Sequence, residues 1–312
     1  MKKRLLAAAV AASMTLSIGV AMAAPVEFDG SAEVHYQWDD SDNDGKSEGA
    51  RNTVILNAKT ALDDNTDFYA RLAAQRYHGD DITADFNTDN GRKSIMTIDR
   101  FGFIIKGTDV TYTLGRQGGT IGSTALLYST DGNIGSSSNL LDGLSATAAV
   151  GVTELSFLAG KETVDDNKVY SVRAAYQPAA DWTVGATLAK YSAGGAASTN
   201  HWAVDTAYTK GNTTYFGEYT KSDADTDNKA FVVGVSYDLN DKNSFSVNYS
   251  KVEVMSDINE STDFDNGYKG VSFGYDYKFR PNTTLSLAYK DMKAIDGSDK
   301  FNSLETTLNY AF

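Results

Sequence analysis

The sequence has 312 residues, a formal net charge of -13 at pH 7, three prolines and no cysteine. The acidic charge argues against nucleic acid as a partner, because phosphate binding requires a cationic face. The lack of cysteine excludes a disulfide framework and a thiolate metal site.

The chain begins with the pattern of a secretory signal peptide. A cationic segment at residues 2–4 precedes an apolar stretch at 5–20 and small residues at 21–23, which are typical of a cleavage site. We therefore expect residues 1–23 to be removed and residues 24–312 to form one domain. No later stretch approaches the ~20 apolar residues that a membrane-spanning helix requires, so any membrane crossing is expected to use strands.

The mature chain opens with a long alternating segment. From Val26 to Asp39 the sequence VEFDGSAEVHYQWD has apolar or small residues at even positions and polar or charged residues at odd positions. Successive side chains of a strand point to opposite faces, so this period indicates a strand with one apolar and one polar face. Two structures fit this pattern: a soluble sandwich with its apolar face inward, and a membrane barrel with that face toward lipid.

The same alternation predicts sixteen strands along the chain. Their predicted bounds are 26–39, 52–62, 66–78, 94–107, 109–117, 141–151, 153–162, 168–178, 181–192, 201–210, 213–222, 228–240, 242–254, 267–280, 282–294 and 302–312. Tight turns alternate with longer polar connections at 40–51, 79–93, 118–140, 193–200, 223–227, 255–266 and 295–301. This rhythm is typical of an up-and-down barrel in an outer membrane, and a Greek-key sandwich does not predict it. The predicted fold is therefore an all-β, transmembrane, antiparallel up-and-down β-barrel.

Two stretches resemble known outer-membrane proteins. The last strand, 302–312, ends with Tyr310 and Phe312 on the apolar face and is similar to the C-terminal strand of bacterial outer-membrane barrels. The segment DRFGFIIKGTDVTYTLGRQ, from Asp99 to Gln117, resembles the fourth and fifth strands of Gram-negative general diffusion porins. By these features the chain is identified as a member of the sixteen-stranded porins.

The resemblance implies a water-filled channel for passive diffusion of ions and small hydrophilic solutes, narrowed by a long third loop at 118–140. It also implies a homotrimer in the outer membrane of a Gram-negative bacterium, in contact with lipids and lipopolysaccharide. Tyr310 and Phe312 are expected to belong to the signal that the outer-membrane assembly machinery reads. We expect no cofactor.

Basic residues near the third loop are the candidate pore-lining residues. Strand parity places Lys59, Arg71, Arg100 and Lys106 on the polar face. Strict parity places Arg116 on the apolar face, but the matching arginine of the family points into the constriction. We therefore follow the resemblance and expect all five cations in the pore.

Few acidic residues are available to oppose these cations. In the family, acidic groups of the third loop face the basic arc, whereas here residues 118–140 contain only Asp131, with Asp142 just beyond. A strong transverse field is therefore not expected. The acidic net charge and the acidic polar face of the first strand favour a mild preference for cations, which the basic arc could reverse.

A calcium loop is not predicted, although Asp40, Asp42, Asp44 and Gly45 match the first half of one. Its twelfth position is Arg51, where a bidentate glutamate is required. An acidic external loop could still bind divalent ions that bridge lipopolysaccharide.

Two other function classes compete with a channel. A barrel hydrolase would need an imidazole base, and His201 shares the inward face with Asp205, but residues four apart on a strand are separated by about 13 Å. A structural or adhesive barrel with a closed lumen also fits the sequence, because loops that plug a pore leave no signature in the strands.

Overall fold

The computed structural model describes residues 24–135, 138–164, 166–194 and 198–312. The predicted signal peptide at 1–23 lies outside the described residues. Sixteen long strands close into one antiparallel barrel, and two short strands form a separate small sheet. Within the described ranges, no helix is long and apolar enough to span a membrane.

The strands follow one another around the barrel in chain order. They are β1 (Glu27–Ser41), β2 (Gly45–Ala61), β3 (Thr66–Gly79), β4 (Ser94–Lys106), β5 (Val110–Gln117), β6 (Thr120–Ile121), β7 (Tyr128–Ser129), β8 (Leu141–Val150), β9 (Thr153–Glu162), β10 (Lys168–Ala179), β11 (Trp182–Ser192), β12 (Thr199–Lys210), β13 (Thr213–Ser222), β14 (Lys229–Asn240), β15 (Asn243–Val252), β16 (Tyr268–Arg280), β17 (Thr283–Ala294) and β18 (Lys300–Ala311). A single-turn 3-10 helix spans Asp81–Thr83. The small sheet is β6 with β7, and the pairing of β1 with β18 closes the barrel. The predicted barrel and its sixteen strands are confirmed.

The prediction of a long loop at 40–51 is wrong. The β1–β2 ladder continues from the Glu27–Lys59 pair to the Ser41–Gly45 pair, so only residues 42–44 connect the strands. Gly45 has φ +73°, which glycine adopts without steric cost and which allows a tight turn. The apolar alternation ends before the backbone ladder does, and sequence periodicity detects only the former.

The outer face of the wall is an exposed apolar surface. Leu188 is 63% exposed, Val233 53% and Phe273 50%. These residues alternate with the inward-facing set, as the sequence pattern predicts. A continuous apolar band on the outside of a closed barrel is the surface that lipid covers, which excludes the soluble sandwich.

The buried core lies inside the barrel and is built by the third loop (residues 118–140). Ile121, Leu127 and Tyr128 from this loop pack against the inner wall. Their buried neighbours are Leu141, Leu158, Val169, Ala189, Tyr191 and Ile258. Leu126 packs in a second cluster with Ala230, Val232 and Val252. The third loop therefore folds into the lumen, as predicted.

The chain terminus closes the seam of the barrel. The Gly30 amide donates to the Phe312 carbonyl at 3.0 Å, and the Phe312 amide donates to the Gly30 carbonyl at 3.0 Å. A Cβ atom on Gly30 would collide with the Ile55 carbonyl and the Phe312 ring. Glycine at position 30 therefore leaves room for the Ile55 carbonyl and the Phe312 ring of the same chain.

Candidate constriction site

The third loop crosses almost the full width of the lumen. At one side, Arg100 on β4 donates from Nη2 to the Asp131 carbonyl at 2.6 Å, and its Nη1 lies 3.6 Å from Asp131 Oδ1. At the other side, the loop contacts Glu218 on β13, which lies seven strands from β4 around the sixteen-strand wall. Two nearly opposite points of the wall therefore hold the loop.

A β-bulge brings Asp99 into the site. In the β3–β4 ladder Arg71 pairs with Arg100 but Leu72 pairs with Ile98, so Asp99 is the extra residue. A bulge re-aims side chains, and here Asp99 and Arg100 both reach the interior. Sequence parity placed Asp99 on the opposite face from Arg100, so this acidic group could not be found from the alternation.

Asp99 anchors both a wall arginine and the third loop. It is fully buried and accepts hydrogen bonds from Arg71 Nε at 2.8 Å and Arg71 Nη2 at 2.6 Å. The Gly135 amide donates to it at 3.0 Å, and Arg71 Nη2 also donates to the Asn133 carbonyl at 2.9 Å. This arrangement fixes the end of the loop against β3 and β4.

Glu218 fixes the tip of the third loop. Its Oε2 accepts hydrogen bonds from the amides of Ser123 at 2.9 Å and Thr124 at 2.7 Å, and from both of their hydroxyl groups. Gly122 has φ +97°, and a Cβ atom there would collide with Glu218. Glycine at this position therefore lets the loop backbone approach the carboxylate.

The loop between β3 and β4, residues 80–93, also folds inward. Arg51 on β2 donates from Nη1 to Asp85 Oδ1 at 2.7 Å, and its Nη2 lies 3.1 Å from Glu33 Oε1. The Ile134 amide donates to the Asp85 carbonyl at 2.9 Å. Burial raises the pKa of Asp85, which the Arg51 charge opposes.

The β15–β16 loop, residues 253–267, is the third segment inside the barrel. The Ile258 amide donates to the Leu127 carbonyl at 3.0 Å, which joins this loop to the third loop. Lys290 on β17 lies 3.6 Å from Asp265 Oδ1 and 3.4 Å from Glu305 Oε1. Burial raises the pKa of Asp265, which the nearby Lys290 charge opposes.

Carboxylates outnumber cations in these lumen ion pairs. Six pairs join four cations to six carboxylates. The cations are Arg51, Arg71, Arg100 and Lys290, and the carboxylates are Glu33, Asp85, Asp99, Asp131, Asp265 and Glu305. Each cation therefore has its own partner, and the set has a formal excess of negative charge.

The structure divides the predicted basic arc. Arg71 and Arg100 lie at the third loop. Lys59 and Lys106 lie in the lumen near the rim with short turns, where Asp67 Oδ2 is 3.0 Å and 2.7 Å from their ammonium groups. The two lysines therefore form a separate group away from the loop.

The placement of Arg116 and Asp142 in the constriction was wrong. Arg116 pairs in register with both Phe101 and Asp142, and paired residues of an antiparallel sheet share a face. Phe101 is 44% exposed on the outer wall, and the Arg116 guanidinium lies 5.7 Å from its ring. Arg116 Nη2 and Asp142 Oδ2 are 2.7 Å apart. The pair thus lies outside the lumen, where strict parity puts Arg116.

His201 and Asp205 have separate partners. His201 Nε2 lies 3.0 Å from Thr199 Oγ1, while Asp205 accepts hydrogen bonds from Arg173 at 2.7 and 3.2 Å. These contacts do not join the imidazole to the carboxylate.

Comparison with known proteins agrees with this architecture. The sequence matches the profile of a family described as Gram-negative porin over residues 6–297. The chain belongs to the Gram-negative porin family. Its location is therefore the outer membrane, which it crosses many times with its strands. In this orientation the rim with short turns is periplasmic and the rim with long loops is external.

Solved porin structures have the same fold. A triple mutant of the Rhodopseudomonas blastica porin has a TM-score of 0.64 and 14% sequence identity, and the alignment covers 92% of this chain and 100% of that chain. A second mutant of the same porin has a TM-score of 0.63 and 13% identity with equal coverage. No curated protein sequence matches this chain significantly.

Proposed function

We propose that this porin conducts ions and small hydrophilic solutes by passive diffusion, with a mild preference for cations. The supporting observation is the excess of carboxylates over cations in the lumen ion pairs: six against four around the inward-folded loops, and eight against seven when Asp67 with Lys59 and Lys106, and Asp205 with Arg173, are included. Rings and local fields of charged side chains select among ions in a channel. Arg71, Arg100 and Asp131 narrow the passage in this proposal, and Lys59 and Lys106 line its periplasmic end. No enzymatic activity is proposed.

The test is the reversal potential of the refolded protein in a planar bilayer under a KCl gradient. We expect the sign that indicates cation preference, and we expect Glu305→Gln to shift it toward anions because a carboxylate beside Lys290 is lost. Asp142→Asn is the control, since it removes a carboxylate that lies outside the lumen, beside Arg116. An anion-selective wild-type channel contradicts the preference.

A second candidate is a structural or adhesive barrel with a closed lumen. The observation that favours it is the inward folding of three loops, which fill part of the lumen. Conductance separates the two functions: salt-proportional current supports diffusion, and electrical silence of the folded protein supports the closed barrel.

We propose that the protein assembles as a homotrimer. Its signal peptide is cleaved after Ala23 during export, and the outer-membrane assembly machinery inserts the barrel. The exposed rings of Tyr310 and Phe312 at the seam are available to that machinery. Contact with outer-membrane lipids and lipopolysaccharide follows from the apolar outer face. The mass of the folded protein in detergent tests the trimer.

A further inference from the structure

A row of lysines surrounds more than half of the outer wall near its external rim. The lysines occupy the loop-side ends of nine of the ten strands from β9 to β18, all except β12, and several pair directly in register, such as Lys161 with Lys168 and Lys221 with Lys229. Lys269 pairs with both Lys251 and Lys293. We name this set the lysine belt: Lys161, Lys168, Lys190, Lys221, Lys229, Lys251, Lys269, Lys293 and Lys300.

The lysine belt faces outward. Lys190 follows the exposed outer residue Leu188 by two positions, and Lys221 pairs with Trp202, which is also exposed on the outer wall. Residues two apart on a strand share a face, as do residues paired between strands. The ammonium groups therefore lie outside the lumen, directly above the apolar band.

The protein itself supplies too little negative charge for these lysines. Like charges directly opposite each other on neighbouring strands are destabilising. Ion pairs join Lys161 to Asp166 and Lys300 to Asp291, and Lys251 to Glu253. In contrast, no carboxylate oxygen in the described part of the chain lies within 4.0 Å of the ammonium group of Lys190, Lys221, Lys229, Lys269 or Lys293, although the backbone amide of Lys229 donates to Glu253 at 3.0 Å.

The remaining arc of the wall, formed by β1 to β5 and β8, has no comparable row of lysines among the described residues at its external rim. Its outward charges at this height are mostly matched: Arg116 with Asp142 at 2.7 Å, and Lys46 with Asp40 at 3.9 Å. The chain as a whole is acidic, with a formal charge of -13, so composition does not account for a row of outward lysines. The belt is therefore a local cationic surface at one height of the membrane.

We propose that the lysine belt binds the phosphate groups of lipids in the external leaflet of the outer membrane. Lysine ammonium groups bind phosphate as point charges, and their flexible stems reach along an apolar surface to the headgroup region. The apolar band directly below fixes the height of the belt at the membrane interface.

The shape and charge of the belt favour lipid over a second copy of this chain. The belt spans an arc of ten strands, nine of which carry one of its lysines, on a convex wall. A shell of separate small headgroups can cover such a wall. A second belt brought against it would add cationic repulsion. The inference rests on residence in the outer membrane and does not depend on conduction.

The test uses a triple variant, Lys251→Gln with Lys269→Gln and Lys293→Gln, which removes three lysines adjacent in register. Refolded protein in uncharged detergent is titrated with bis-phosphorylated lipid A, and bound lipid is counted by native mass spectrometry. We expect at least a tenfold loss of affinity, and we expect Lys→Arg at the same positions to restore binding.

The matched control changes three exposed lysines at the opposite rim to glutamine: Lys210, Lys242 and Lys278. It is expected to bind lipid A as wild type does. Equal binding by the belt variant and wild type overturns the proposal. Equal binding by wild-type protein of lipid A and of its phosphate-free form also overturns it, and this arm needs no variant.

Two further arms identify the source of the phosphate and separate the inference from the channel proposal. Inorganic phosphate at millimolar concentration is expected to displace less than half of the lipid, whereas complete displacement overturns lipid as the specific occupant. Conductance of the same preparations is expected to stay within twofold of wild type, and loss of conductance in wild type contradicts only the proposed diffusion function.

Discussion

Asp99 shows how one residue determines where charge lies in the lumen. Its carboxylate is fully buried, accepts two hydrogen bonds from Arg71 and holds the Gly135 amide. A buried ion pair contributes little net stability, but removal of one partner leaves the other charge uncompensated. The pair therefore acts as a constraint on the third loop.

We expect Asp99→Asn to lower the free energy of unfolding by about 3 kcal/mol, because Arg71 loses its partner in a buried site. Asp131→Asn is the matched control, since the Asp131 side chain is 55% exposed and exposed pairs contribute about 1 kcal/mol or less. Urea unfolding in lipid vesicles, followed by tryptophan fluorescence, measures both. Equal losses in the two variants would refute the constraint.

Glu218 is the corresponding residue at the other end of the third loop. A hydrogen bond to a charged group contributes about 1.5–3 kcal/mol, and Glu218 accepts four from Ser123 and Thr124. We expect Glu218→Ala to speed amide hydrogen exchange at residues 120–124 by at least about tenfold. Exchange measured by mass spectrometry that stays at the wild-type rate would contradict this anchoring role.

The control for that experiment is Glu154→Ala, at the periplasmic start of β9. Like Glu218→Ala, this substitution removes a glutamate carboxylate from the wall, but it does so away from the loop tip. Leu126 holds the following part of the loop in an apolar cluster, so the effect should be confined to the tip.

At the scale of elements, we expect the docking of the β15–β16 loop to depend on pH through Asp257. Burial raises the pKa of Asp257 from its usual 3.8 to about 6, although hydrogen bonds from the Asn266 side chain and the Glu260 amide lower it. A raised pKa in the folded state means that the group favours the docked loop below pH 3.8 and loses this contribution as pH rises through about 6.

We therefore expect amide protection of residues 255–263 to be greater at pH 5 than at pH 7.5, after correction for intrinsic exchange rates. Asp257→Asn should reduce this difference, because its side chain cannot ionise. Asp225→Asn, in the exposed neighbouring loop, serves as the control. A pH difference that is undiminished in Asp257→Asn would contradict the assignment.

At the scale of the whole molecule, the barrel separates three surfaces. The lumen holds most of the paired acidic and basic groups, the middle of the outer wall is apolar, and its external edge is cationic. Closure through β1 and β18 satisfies the backbone groups that lipid cannot solvate. Ion selectivity is therefore expected to depend on the lumen, and binding of lipid phosphate groups on the lysine belt.

The sequence by itself determined the architecture, because its signals are local. Alternation over about eight or more residues identified every wall strand. The resemblance to porins, together with the length of the connection at 118–140, identified one of the three loops that enter the lumen. Alternation also placed Lys59, Arg71 and Arg100 on the inner face, although the bulge changes the face of the neighbouring Asp99. Strict parity was correct for Arg116, where the resemblance misled.

Only the tertiary structure decided which groups meet. The bulge at Asp99, the contact of Glu218 with the third loop and the inward folding of residues 253–267 depend on register between strands far apart in sequence. The lysine belt has the same origin: each lysine alone is an ordinary strand end, and the alignment of nine such lysines along ten neighbouring strands makes one cationic surface. A period-two pattern fixes the face of a side chain within its own strand, but it contains no information about its neighbours across the sheet.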